Sequence, residues 1–149
     1  MSYEWRLTRL KNEIYQGNFW ERSVAIVAML VDDDEGLRDC LITVLEELTD
    51  VRVVDVAQTP AEAVGLMARY EQDWQLFIVD IDLRNGSGLS VLEACRHRAP
   101  EQIVIVLTNL ATPQVRERCR RLGVDAVFDK ARELDKFFER CKALRVAAC

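Results

Sequence analysis

The sequence predicts an α/β fold, a three-layer doubly wound domain built on five parallel strands. Two observations predict it. From Val24 onward, apolar runs of strand length alternate with segments whose apolar residues return every three or four positions. Four of the runs then break off into acidic or other polar residues, which fits strands that end at a common sheet edge.

The strand candidates are Ala25 to Val31, Arg52 to Val56, Leu76 to Val79, Ile103 to Leu107 and Ala126 to Phe128, rich in β-branched residues and bounded by turn or charged residues. The first helix follows Asp34 as its N-cap and places Leu37, Leu41, Val44, Leu45 and Leu48 on one stripe. Thr59-Pro60 opens the second helix, a cap followed by proline at the first helical position, and Thr112-Pro113 repeats that signal for the fourth. Gly123 ends the fourth as a left-handed cap. The third helix is expected from Gly88 to Arg98, and the last carries Leu134, Phe137, Phe138, Cys141 and Leu144 on its apolar face.

The folded domain is thus expected over 24–145, with a short tail at 146–149. Residues 1–23 read as an N-terminal helical extension: Tyr3, Leu7, Leu10 and Ile14 recur at helical spacing, and Gly17-Asn18 ends the pattern. Together with Trp5, Phe19 and Trp20, this stripe either packs on its own domain or forms a homodimer contact. A third reading is a translation start set too far upstream.

A chain of 149 residues fits one domain and buries roughly 70% of its unfolded surface without staples. The net charge of -5 argues against direct nucleic-acid binding. The longest apolar run, Val24 to Val31, is far short of the roughly 20 residues that cross a bilayer, so no membrane insertion is expected. No signal-peptide order is visible at the start. The five cysteines are odd in number and widely spread, which suggests neither a disulfide framework nor a zinc site and fits a reducing cytoplasm.

The polar strand ends carry the chemistry. They are Asp32-Asp33-Asp34, Asp80-Ile81-Asp82, Thr108-Asn109 and Asp129-Lys130. Carboxylates crowded together repel unless a hard, oxygen-seeking cation sits among them, and Mg²⁺ meets that need. Asp80 would remain an ionised nucleophile toward phosphorus, Mg²⁺ and Lys130 would offset charge on the transferring oxygens, and Thr108 would donate a hydroxyl.

In that order and spacing the sequence resembles the receiver domains of two-component response regulators, over about residues 25–144. MLVDDDE matches the acid pair, LFIVDIDLRNGSG the phosphoacceptor segment, VIVLTN the switch threonine and VFDK the lysine. The resemblance implies a flavodoxin-like, CheY-like sheet of order 2-1-3-4-5. It implies phosphorylation of Asp80, with Mg²⁺ held by Asp33, Asp80 and the backbone carbonyl of Asp82, and by Asp32 through water. Thr108 and Lys130 would contact the phosphoryl oxygens. The phosphodonor would be a sensor histidine kinase or phosphotransfer domain, the output an unidentified downstream protein, and the chain a switch rather than an enzyme. His97 does not replace the donor.

The chain departs from the family pattern at several positions. Val127 stands where an aromatic switch residue is usual, with Phe128 one place later. Asn109 replaces a small residue, Ala131 a proline whose preceding bond is often cis, and Arg84 another proline; Gly88 keeps its glycine. Asp82 and Leu110 occupy positions that tune phosphoryl lifetime in this family.

Two other functions compete: a pseudo-receiver that binds partners without phosphorylation, and a dehalogenase-type phosphatase suggested by Asp80-Ile81-Asp82. Against the phosphatase stand Arg84 and the order of the acidic groups along the chain. Arg116, Arg118, Arg120 and Arg121 form either a solvated face or a partner surface. Asn85-Gly86-Ser87-Gly88 reads as a connecting turn ahead of a phosphate cradle.

Overall fold

A computed structural model describes residues 25–145. The N-terminal extension and the tail expected at 146–149 lie outside the described residues.

The sheet strands are β1 (Ile26–Val31), β2 (Val51–Ala57), β3 (Leu76–Val79), β4 (Ile103–Thr108) and β5 (Ala126–Asp129), all parallel, in the order β2-β1-β3-β4-β5. The helices are α1 (Glu35–Leu48), α2 (Pro60–Tyr70), α3 (Gly88–Ala94), α4 (Pro113–Arg121) and α5 (Leu134–Lys142). A two-residue antiparallel ladder pairs Asp82 and Leu83 with Ser87 and Gly86, so Arg84 and Asn85 make the hairpin turn, Gly86 and Ser87 its returning strand, and Gly88 opens α3.

The caps form as their residue types dictate. Asp34 accepts from the Leu37 amide, Thr59 from Glu62 and Thr112 from Val115, with Pro60 and Pro113 opening their helices. Gly123 adopts φ 78°, the left-handed cap expected of it.

Alternation along each strand sends side chains to both sheet faces. Met29, Val31, Phe77, Val79, Val104 and Val106 meet α2, α3 and the end of α4 through Leu66, Tyr70, Val91, Leu92 and Cys119. On the other face, Leu30, Ile78, Ile105 and Leu107 meet Leu41, Ile42 and Leu45 of α1 and Phe137 and Cys141 of α5. One slip in the β1–β2 register, between Ala28 and Met29, leaves Val54 without a direct partner.

Two sequence expectations need correction. The stripe expected on α1 splits in two: the inward line is Arg38, Leu41, Ile42 and Leu45, while Leu37, Val44 and Leu48 are 36% to 50% exposed. At about 100° per residue those two lines sit roughly a quarter turn apart, and Ile42 rather than Val44 meets the sheet. The third helix stops at Ala94, not Arg98. Ala99 precedes Pro100, which disfavours helical backbone there. The Arg98 side chain instead binds the Gln102 and Gly123 carbonyls and the Asp125 carboxylate at 2.7, 2.9 and 2.8 Å.

Phe137 is fully buried and packs edge-on against Phe128 with centroids 6.0 Å apart. Truncation at a site of this kind costs about 3–5 kcal/mol. A Phe137→Ala variant is therefore expected to lose stability in that range in urea unfolding, with an unchanged slope.

Candidate functional site

Four strand ends converge: Thr108 is the last residue of β4, and after β1, β3 and β5 the loop residue continues the ladder to the neighbouring strand. The Asp32 amide donates to Ala57 at 3.0 Å, the Asp80 amide to Val31 at 2.9 Å and the Lys130 amide to Thr108 at 3.0 Å. Backbone pairing alone thus sets Asp32, Asp80, Thr108 and Lys130 along one edge of the sheet, where a doubly wound fold binds ligands.

The side chains then meet. Lys130 Nζ lies 2.5 Å from Asp32 Oδ2 and 3.0 Å from Asp80 Oδ2, although these residues are 98 and 50 positions away along the chain. All three are buried: Asp32 is 1% exposed, Asp80 7% and Lys130 9%. Burial by itself would push the lysine pKa down. The Asp32 hydrogen bond and the charges of Asp80 and Asp32 outweigh it and hold Lys130 above its ordinary value.

The remaining carboxylate oxygens are aimed by backbone donors. Asp32 Oδ1 accepts from the Asp34 amide at 3.0 Å and Asp80 Oδ1 from the Asp82 amide at 3.1 Å. Asp33 Oδ2 accepts from the Arg84 amide at 2.6 Å, and the Arg84 guanidinium stands 3.7 Å from the same oxygen. Thr108 is fully buried, and its hydroxyl oxygen accepts from the Leu110 amide at 3.1 Å. A hydroxyl that accepts in this way keeps its own proton to donate.

Of the four residues expected around a metal, Asp32 and Asp80 share Lys130, Asp33 is turned toward Arg84, and the Asp82 residue is exposed. Among the described residues no three carboxylate, imidazole or thiolate side chains gather closely enough to cage a metal unaided. A Mg²⁺ ion does not require three, since it keeps several waters and takes one or two carboxylates. The donors are hard oxygens throughout, and the buried negative charge exceeds what Lys130 supplies. That donor set fits a hard divalent cation.

Three features escaped the sequence reading. A Cβ at Gly88 would collide with the Asp80 carbonyl oxygen, so this residue lets the α3 N-terminus close under the Asp80 loop. The Arg84 amide contact to Asp33 is a bond that proline could not make. Arg116 is half-exposed yet fixed in place: it binds the Ala111 and Val127 carbonyls at 3.1 and 3.2 Å and the Glu133 carboxylate at 2.5 Å. Its neighbours Arg120 and Arg121 pair with Glu117 on their own helix. The position expected to hold an aromatic switch is the half-buried Val127, and Phe128 points to the α5 side of the sheet. The Lys130–Ala131 bond is trans.

Residues 28–142 match the family model of the response regulator receiver domain. Among curated proteins, the chain is 29% identical over 80 residues to protein-glutamate methylesterase/protein-glutamine glutaminase 2 of Pseudomonas syringae pv. tomato, covering 54% of this chain and 22% of that protein. The chain thus matches only about a fifth of that relative's length. Among solved structures, the non-phosphorylated HemR receiver domain from Leptospira biflexa superposes with a TM-score of 0.69 at 29% identity, covering 83% of this chain and 99% of that one. A response regulator from Burkholderia pseudomallei, solved with a phosphorylated aspartic acid, a calcium ion and citrate, superposes with a TM-score of 0.65 at 26% identity, covering 79% and 67%.

The two glycines with contrasting surroundings make a paired test. Gly88→Ala forces the new methyl against backbone, and overpacking of that kind costs about 1–3 kcal/mol or more. Gly65, inside α2, has nothing within 4 Å of the place an added methyl group would take, so Gly65→Ala is expected to gain about 0.4–1 kcal/mol. Urea midpoints of the two variants should move in opposite directions.

Proposed function

Because the chain belongs to the response regulator receiver domain family, we propose that it is a phosphoacceptor switch in which Asp80 takes a phosphoryl group from a sensor histidine kinase or phosphotransfer domain. The observation that carries this reading is the buried Lys130 ammonium bridging the Asp32 and Asp80 carboxylates at 2.5 and 3.0 Å.

In the proposed transfer an Asp80 carboxylate oxygen attacks phosphorus. The bond from phosphorus to the donor imidazole nitrogen breaks, and its electron pair leaves with that nitrogen. Lys130, already beside Asp80, exchanges one carboxylate contact for a phosphoryl oxygen while Asp32 keeps the ammonium oriented. Thr108, seated at the end of β4, offers its hydroxyl proton to another phosphoryl oxygen. Asp33, Asp80 and the Asp82 carbonyl, with Asp32 through water, would hold a Mg²⁺ ion. When bound, the ion supplies positive charge against the transferring oxygens. The calcium ion and phosphorylated aspartic acid of the Burkholderia relative support that assignment.

The reading makes the chain a switch with no outside substrate to turn over, working in the cytoplasm and acting on a downstream protein or through a homodimer. No helix among the described residues is long and apolar enough to cross a membrane. The family match favours the receiver reading over the dehalogenase-type alternative.

Intact mass after incubation with acetyl phosphate and Mg²⁺ tests the central step. The wild-type chain should gain a single phosphoryl group and Asp80→Asn none; equal labelling of the two, or none in either, rejects the assignment of Asp80. Arg84 yields a second test. Its guanidinium sits near Asp33 but is 80% exposed, so it competes weakly with a cation for that carboxylate. Arg84→Ala is expected to tighten Mg²⁺ binding roughly two- to fivefold at low salt, the gain shrinking as ionic strength rises. Isothermal titration with Mg²⁺ alone reads this without phosphotransfer.

A further inference from the structure

Helix α1 is apolar on two sides, and the sheet covers only one. Leu37, Val44 and Leu48, on the uncovered side, account for three of the five exposed large hydrophobic residues among those described. Beside them a cavity of about 180 Å³ opens between α1 and α5, lined by Leu37, Cys40, Leu41 and Val44 on one side and Leu134 and Phe138 on the other, with Leu107 and Lys130 also in its lining. A helix with so wide an apolar surface needs a second partner.

The chain itself supplies one of matching size, position and charge. The Ile26 amide donates to the Asp50 carbonyl at 2.9 Å, so the polypeptide enters the sheet beside the foot of α1. The Tyr3, Leu7, Leu10 and Ile14 stripe spans about 17 Å at helical rise, against about 20 Å for α1. Residues 15–24 can bridge at most about 35 Å, enough to return the stripe to the foot of α1 in either direction. Among the stripe residues Arg6, Arg9 and Lys11 outweigh Glu4 and Glu13, while on α1 Glu35, Asp39, Glu46 and Glu47 outweigh Arg38. A short amphipathic stretch is marginal by itself, so the stripe and the groove each lack what the other provides.

We propose that residues 1–23 seat their Tyr3, Leu7, Leu10 and Ile14 stripe in the α1–α5 groove of their own chain. The seated segment covers the apolar face of α1.

Cys40 is a native reporter, since it is exposed and lines this groove, whereas Cys95, Cys119 and Cys141 are buried. The full-length chain is treated with iodoacetamide, and peptide mass spectrometry assigns alkylation to each cysteine. Cys40 should react roughly tenfold or more faster in the Leu7→Asp/Leu10→Asp double variant than in the wild type, as expected when a covering segment is released. This difference should hold at every protein concentration. Equal rates overturn the proposal; so does protection that appears only as concentration rises, which assigns the groove to a second copy. A further measurement does not depend on how the double variant folds. In an otherwise unaltered Leu10→Cys chain, a short bis-maleimide should link the introduced thiol to Cys40 within one molecule. A folded chain that forms no such link overturns the proposal.

Discussion

Two carboxylates buried side by side at the ends of β1 and β3 are tenable only with a cation between them, and Lys130 is that cation. Asp32 and Asp80 are 1% and 7% exposed, so water screens neither. Removing the ammonium would leave uncompensated buried charge, a far larger penalty than the net worth of a solvated ion pair. The sheet order follows from the same need. β1 and β3 are direct neighbours, and β5 reaches the pair only across β4, whose terminal Thr108 carbonyl receives the Lys130 amide. The central strand β3, all four residues of which are fully buried, therefore serves two ends at once: it carries the core and fixes the site.

Where this chain lacks two prolines usual in its family, each replacement uses the N–H that proline would have removed. The Arg84 amide donates to Asp33, and the Ala131 amide donates to Asp129 Oδ1 at 2.8 Å. Asp129 goes on to accept from the Arg132 amide through Oδ1 and from the Glu133 amide through its carbonyl, at 3.2 and 2.8 Å, building a tight turn after β5. In place of a ring-enforced bend, the loop holds its shape by a side chain that mimics a turn. Both loops around Asp80 are thereby tied to carboxylates and not to prolyl geometry.

The five strands, the cap residues and the convergence of Asp32, Asp80 and Lys130 were legible in the sequence, because period, turn chemistry and strand-end placement are local signals. Asp34, Thr59 and Thr112 cap where their residue types say they should. What was not legible depended on rotation or on distant partners. The α1 stripe contains enough leucine and valine to be read at one phase, and only the position of the sheet selects Ile42 over Val44. Arg116 looked like one of four basic residues on a helix; its three partners come from the β4–α4 loop, β5 and the loop before α5, and no spacing rule points to them. Gly88 was visible as a glycine, but the reason for it is the Asp80 carbonyl, which only the folded chain brings near.

Arg116 also changes how movement at Thr108 would be passed on. With Val127 in place of a ring and Phe128 on the α5 side of the sheet, β5 offers no aromatic side chain to slide into space vacated by the β4–α4 loop. Instead a chain of hydrogen bonds runs from the Thr108 hydroxyl through the Leu110 amide, then from the Ala111 carbonyl through Arg116 to Val127 and Glu133. Glu133 in turn accepts from the Asp129 amide, one residue before Lys130. The Arg116 hydrogen bond, followed by the Asp129 amide, holds the Glu133 pKa below its ordinary value, so the clasp stays charged at neutral pH. A loop drawn toward a phosphoryl group would carry Ala111 with it, and the guanidinium could not keep all three partners. On the proposed reading, the displacement would reach the α4–α5 surface through hydrogen bonds of fixed direction in place of the packing of a ring.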